Sequence, residues 1–167
     1  MPDPVTFHPI GVIHTPFLEQ RGTPVQPAFA GGAEGTVELL PEYVPGLADL
    51  EGFERIWLLF HLDRGKEPAL RVVPYRDTQE RGLFATRAPA RPNAIGLSCV
   101  RLLGVQGNIL RIADVDMLDG SPLLDIKPYA RVFDEHPTTN DGWLSRSQDV
   151  SAADDRFLDT NAKESSP

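Results

Sequence analysis

Two arginines in a proline-braced loop are the side chains of this sequence best suited to chemistry. In RGLFATRAPARPNAIGLS (residues 81–98), Arg87 and Arg91 stand beside Pro89 and Pro92, whose fixed φ stiffens the loop and reduces the freedom lost on binding. A guanidinium offers a planar fork of donors that matches a carboxylate or phosphate. One reading is therefore recognition of a ligand carboxylate or an RNA phosphate. The plainer reading, in a chain with 24 acidic residues, is that the arginines tie the loop to Asp or Glu.

A second segment, DVDMLDGSPLLDIKPY (residues 114–129), carries a tight-turn signal in Asp119-Gly120 followed by Pro122. Its plain reading is turn chemistry for Asp119 and a surface ion pair between Asp125 and Lys127. Its sharper reading has free turn amides and carbonyls reading an adenine edge, with carboxylates offsetting the charge of a cationic ligand. A third segment, GTPVQP (residues 22–27), follows PIGVIHTPF and places Gln26 on a stiff loop able to offer an amide. By itself it is an ordinary surface loop.

Other signatures of chemistry are missing. His8, His14, His61 and His136 lack metal-ligand spacing and have no cysteine cluster beside them, so no metal is expected. The chain has no GxGxxG after a strand, no Walker A loop and no GxSxG elbow. A doubly wound nucleotide-binding fold is disfavoured.

The elements that position these segments read as mainly β. Sixteen prolines and fourteen glycines cut the chain into short pieces, and no window sustains helical spacing long enough for a substantial amphipathic helix. Strands are expected at 7–15 and 35–40, the latter from Val37 and Leu39 alternating with Glu38. GLADLEGF (46–53) reads as a turn or a single helical turn. IWLLF within 55–62 lacks alternation and suggests a central strand covered on both faces. Further strands are expected at 82–87, 97–105 and 109–115, the last two joined through Gln106-Gly107-Asn108 as a hairpin. Over 123–131, Leu124 and Ile126 are expected on one face, with Asp125, Lys127 and Tyr129 on the other. Pro128 cannot donate to a ladder and places that strand at an edge or an end. About seven short strands argue for an all-β, mainly antiparallel fold, a barrel or sandwich with short helical turns.

The 167 residues fit one domain, and 41% hydrophobic with 24% charged residues is a globular composition. Cys99 is the single cysteine, so an intramolecular disulfide is excluded and a cytoplasmic location is the default. The start of the sequence has no targeting signal, and no apolar run is long enough to cross a bilayer, so no membrane partner is expected. Of the net charge of −8, residues 132–167 carry eight acids and three bases. A polyanionic partner therefore needs a local basic patch. Domain organisation is read as a barrel over 1–135 and an acidic tail over 136–167, partly disordered or docked through Trp143, Leu144, Phe157 and Leu158.

In order along the chain, these segments and the GLADLEGFERIWLLF between them resemble the TsaA-like (TrmO) family from about Phe7 to Tyr129. The patterns that carry the resemblance are FATRxPxRPNxIGLS and LDGxPxLDIKPY. It implies a compact single β-barrel, usually dimeric, that binds S-adenosylmethionine in a pocket unlike that of Rossmann-type methyltransferases. TrmO members methylate the exocyclic nitrogen of threonylcarbamoyl-adenosine beside the tRNA anticodon. By position, the implied cofactor contacts are Pro24, Val25, Gln26, Asp63, Arg64, Arg87, Leu97, Met117, Leu118, Asp119 and Gly120. The chain departs from many relatives at Asp63, where they place histidine, and at Ala94, where they place proline. Longer relatives also carry a domain after the barrel, in place of which this chain has its short acidic tail.

Methyl transfer from a sulfonium needs donor carbon and acceptor nitrogen held in line. It also needs help in removing the proton of an amide-conjugated nitrogen. Asp125 is the candidate base, with Lys127, Tyr129, Arg91 and Asn93 orienting the acceptor. The alternatives are an S-adenosylmethionine-binding or sensor protein without RNA methylation, and a methyltransferase acting on a small molecule or protein. The expected partners are tRNA and a second copy of the chain.

Overall fold

The computed structural model describes residues 3–158. Eight strands appear in chain order: β1 Gly11–His14, β2 Glu34–Leu39, β3 Arg55–His61, β4 Arg71–Val72, β5 Arg81–Gly82, β6 Ile95–Gln106, β7 Ile109–Ala113 and β8 Ser121–Pro128. Six of them close into an antiparallel barrel in the order β1-β2-β7-β6-β3-β8, with β8 pairing back to β1, while β4 and β5 form a separate ribbon. One four-residue α-helix, α1 (Arg131–Asp134), is joined by short 3₁₀ turns, among them Pro41–Leu47 and Leu50–Gly52, the latter within the 46–53 stretch expected to form a turn or a single helical turn. Closure gives every strand of the barrel a neighbour on both sides along part of its length.

Alternation produces the core. Val37 and Leu39 of β2, Ile56, Leu58 and Phe60 of β3, and Leu110 and Ile112 of β7 all point inward and pack with Ile13, Val100, Val115, Met117 and Leu123. Removing one of these fully buried side chains, such as Leu58, costs about 2–5 kcal/mol. The β6–β7 hairpin turns at Gly107-Asn108, with Gly107 at φ 61, the conformation its missing side chain permits.

Several elements depart from the expectation, each for a local reason. β1 begins at Gly11 rather than residue 7, because Pro9 has no N–H for the ladder. The stretch 82–87 is not a strand beyond Gly82. Leu83–Ala85 forms a 3₁₀ turn in which the Thr86 amide and hydroxyl both donate to the Leu83 carbonyl, at 3.0 and 2.8 Å. β3 does lie between two strands, β6 and β8, but it is buried on one face only; Trp57 and Leu59 point outward and are half-buried. In β8 the register shifts opposite Leu59 and Phe60. Leu123, rather than Leu124, therefore shares the core face with Ile126. Pro128 ends β8, as its missing donor requires.

Residues 142–158 return to the barrel. Trp143 Nε1 donates to the Ala85 carbonyl at 2.8 Å, and Phe157 is buried with Val72, Leu83, Ala88 and Ala90 in a second apolar cluster. Isolated bridges join Pro24 to Ala152 and Gly65 to Leu158. The end of the acidic tail, 159–167, lies outside the described residues.

Candidate functional site

A hollow of about 330 Å³ opens at the barrel wall where four loops meet. It falls within the size range of small-molecule sites. Pro24, Val25 and Gln26 form one side, on a loop held by the C-terminal segment: Val25 N donates to Ser151 O at 2.9 Å, and Ala153 N to Thr23 O at 2.8 Å. Asp63 and Arg64, just past β3, form a second side, and Leu97, Met117 and Leu118 a third.

The Arg-Pro loop closes the fourth side with Arg87 and Arg91. Arg87 donates to Gln26 Oε1 at 2.5 Å, and Arg91 to the carbonyls of Thr86 and Ala88 at 3.1 and 3.3 Å. Neither forms an ion pair among the described residues. The plainer reading, arginines tied to acids, is therefore set aside for this loop. Both guanidinium charges are left for a ligand.

The Asp119-Gly120 turn differs from its expected role. Gly120 sits at φ 78, as the third position of a type II turn demands, and Ser121 N donates to Leu118 O at 3.2 Å. Its amides, however, are engaged: Asp119 N donates to Phe17 O at 2.7 Å and Gly120 N to Ile13 O at 2.9 Å. The Asp119 carboxylate accepts from Thr15 N at 3.1 Å and lies 3.4 Å from His14 Nδ1, and its carbonyl accepts from Arg64 at 2.7 Å. Asp119 and Gly120 thus brace the wall without lining it, and a reading of adenine by free amides of this pair is corrected.

Asp125, Lys127, Tyr129 and Asn93 do not line the hollow. Asp125 is nonetheless tied to it by register. Leu97, Leu59 and Asp125 stand opposite one another on β6, β3 and β8, forming a row on the outer face of the barrel. Leu97, 48% exposed, belongs to both the row and the lining. Lys127 Nζ lies 2.7 Å from Asp125 Oδ2, and Tyr129 packs against Trp57 with ring centroids 6.1 Å apart.

Sequence reasoning passed over Asp116, Ser98, Phe60, Gly96 and Tyr75, all in the lining. The signal for Ser98 is its parity: Gly96, Ser98 and Val100 face inward along β6, so a hydroxyl falls on the core side. A Cβ on Gly96 would stand 2.4 Å from the Phe60 ring, so only glycine lets that ring lie against β6. Ser98 Oγ donates to Asp116 Oδ1 at 2.5 Å. Burial pushes the Asp116 carboxyl up to about 7, against the opposing pull of the Ser98 hydroxyl and the Arg87 charge. Burial also pushes the Tyr75 phenol up to about 12; its hydroxyl is bonded to the Gln20 amide.

The fold and site define a class: a closed antiparallel barrel with an arginine-lined hollow at its wall. Residues 12–135 match the family model for the tRNA-methyltransferase O N-terminal domain, and the chain belongs to that family. It is 48% identical over 164 residues to a probable S-adenosyl-L-methionine-binding protein of Pyrococcus abyssi, covering 96% of this chain and 89% of that one. To the tRNA (adenine(37)-N6)-methyltransferase of Escherichia coli it is 34% identical, covering 89% of this chain and 66% of that one. The crystal structure of TrmO from Pseudomonas aeruginosa superposes with a TM-score of 0.70 at 39% identity, covering 84% of this chain and 62% of that one. The chain thus spans less than two-thirds of that solved structure. Among the described residues no helix is long and apolar enough to cross a membrane.

Proposed function

We propose that this protein is an S-adenosylmethionine-dependent methyltransferase acting on the exocyclic nitrogen of adenosine in tRNA, with threonylcarbamoyl-adenosine beside the anticodon as acceptor. The observation that carries this reading is the pair of arginines, without ion-pair partners among the described residues, on a rigid loop opening onto a hollow that also holds the half-buried carboxylate of Asp116. Such a lining suits a ligand that is anionic at one end and cationic further along. The names borne by the relatives support the same cofactor and acceptor.

The residues present fit the cofactor. Arg87, with Gln26 fixing its direction, would take the α-carboxylate, and Phe60, Leu97 and Met117 would pack against the nucleoside. When bound, S-adenosylmethionine supplies a methyl carbon on a sulfonium, which accepts the nitrogen lone pair as the carbon–sulfur bond breaks and its electrons return to sulfur. The protein's part is placement and proton removal. The outer row from Leu97 through Leu59 to Asp125 gives an acceptor base a platform that begins at the rim of the hollow. Asp125 takes the proton from the acceptor nitrogen, while Lys127, 2.7 Å away, holds the carboxylate in place. Tyr129, Arg91 and Asn93 orient the acceptor. This reading includes a cytoplasmic location and a homodimer, the latter in keeping with the adjacent exposed Val132 and Phe133, which are 84% and 73% accessible.

The test is incubation with methyl-labelled cofactor and tRNA bearing or lacking the threonylcarbamoyl group. Label in the modified adenosine is expected; cofactor retention with no label in either tRNA would leave a binding protein instead. Asp125→Asn should lower turnover by about 10²–10⁴-fold while cofactor affinity holds. Unchanged turnover removes Asp125 from the role of base.

A further inference from the structure

The lining of the hollow contains two acids, Asp63 and Asp116. Asp63 Oδ1 lies 3.3 Å from Nε of Arg64, so its charge is already matched. Asp116 forms no ion pair among the described residues, and its side-chain partner is a neutral hydroxyl, Ser98 Oγ at 2.5 Å. Asp116 stands in the chain between two buried core residues, Val115 and Met117, and shares the hollow with Phe60, Gly96 and Leu97. Placing a carboxylate in such a wall without a directly paired cation is costly, and a site retains such a group where a ligand supplies the missing partner.

We infer that Asp116 is the counter-ion of the donor's sulfonium, and the residue by which the hollow tells S-adenosylmethionine from its neutral thioether product. This deepens the proposed function and rests on it. The chemistry of the surroundings selects the sulfonium over the donor's other cation. An α-ammonium brings three N–H donors and needs several free acceptors around it, whereas Asp116 has one oxygen already bonded to Ser98. A sulfonium carries no N–H at all. It needs a negative charge in an apolar wall rather than a set of acceptors, and Asp116, already bonded to Ser98 and flanked by apolar groups, offers that.

The groups that act on Asp116 are few: Ser98 from β6, Arg87 from the Arg-Pro loop, and from β3 only the uncharged Phe60 ring. Burial pushes the carboxyl up to about 7. A cation requires the ionised form, so donor binding below that pH releases a proton, and donor affinity falls about tenfold per pH unit. Product binding carries no such cost.

Titration calorimetry of the wild type, Asp116→Asn and Ser98→Ala with S-adenosylmethionine and S-adenosylhomocysteine tests this, run across pH 5–8 in buffers of differing ionisation heat. Asp116→Asn should weaken the donor by about tenfold or more, leave the product within about twofold, and abolish proton release. Ser98→Ala should move the midpoint of the pH dependence upward, because the hydroxyl stabilises the ionised form. Retained product affinity shows that the variant pocket is intact. Equal weakening of both ligands, or an unchanged donor affinity, overturns the inference. A wild type that binds neither ligand overturns the proposed function itself.

Discussion

Arg87 and Asp116 do opposite work in one hollow, and their removal should be separable by ligand. Arg87 addresses a carboxylate present in donor and product alike. Arg87→Ala should therefore weaken both by about 10–100-fold in calorimetry, the equivalent of one lost charge-assisted hydrogen bond or a little more. A loss confined to one ligand would place the guanidinium elsewhere. Asp116 also has a consequence for stability. Its carboxyl is raised from the ordinary 3.8 to about 7, so the native state keeps a proton that the unfolded chain has released. Stability from this group is present below about pH 4 and is lost as pH rises through 7. Asp116→Asn should flatten that decline and make the protein more stable than the wild type at pH 8, by on the order of 1–2 kcal/mol in urea melts. Parallel pH profiles for the two proteins would contradict this. The arginines and Gln26 were legible in the sequence because their residue types declare their chemistry. Asp116 was not: it reads as one more acid in an acidic chain, and only the pairing of β6 with β7 brings the region after β7 back to the inward Ser98.

At the scale of elements, the barrel came from alternation and the exceptions from local bonds that alternation does not encode. The β6–β7 hairpin and the inward faces of β2 and β3 follow from residue pattern and a glycine turn. The bulge in β8 and the 3₁₀ turn after β5 depend on neighbours distant in sequence or on a single threonine hydroxyl. The C-terminal segment was legible only as a few apolar anchors, yet it supports the site. Phe157 meets Tyr75 edge-on with centroids 5.1 Å apart, Arg156 forks onto Asp154 and donates to the Pro74 carbonyl at 2.7 Å, and Ala153 lines the hollow. Phe157→Ala should cost about 3–5 kcal/mol locally. Hydrogen exchange should show it as faster exchange in 142–158 and in the 20–26 loop, with β3 and β6 still protected. Uniform loss of protection would mean that the segment and barrel unfold as one unit.

For the whole molecule, charge poses the question that fold does not answer. A chain of net charge −8 binds a polyanion only through a local concentration of cations. Arg91, which lines the opening without an ion-pair partner among the described residues, provides the start of such a patch, since Arg87 is assigned to the cofactor carboxylate and Arg64 is paired with Asp63. Affinity for tRNA should fall steeply with salt, about three decades or more between 50 and 200 mM if six phosphates are met, and much less if only this arginine engages. A flat salt response in filter binding would exclude phosphate recognition by this face. The central claim is that the hollow at Arg87, Asp116 and Met117 is the seat of S-adenosylmethionine, and a crystal structure of the protein grown with that compound tests it most directly. The account predicts density in this hollow, with the carboxylate on Arg87 and the sulfur beside Asp116; density at any other place on the barrel would contradict it.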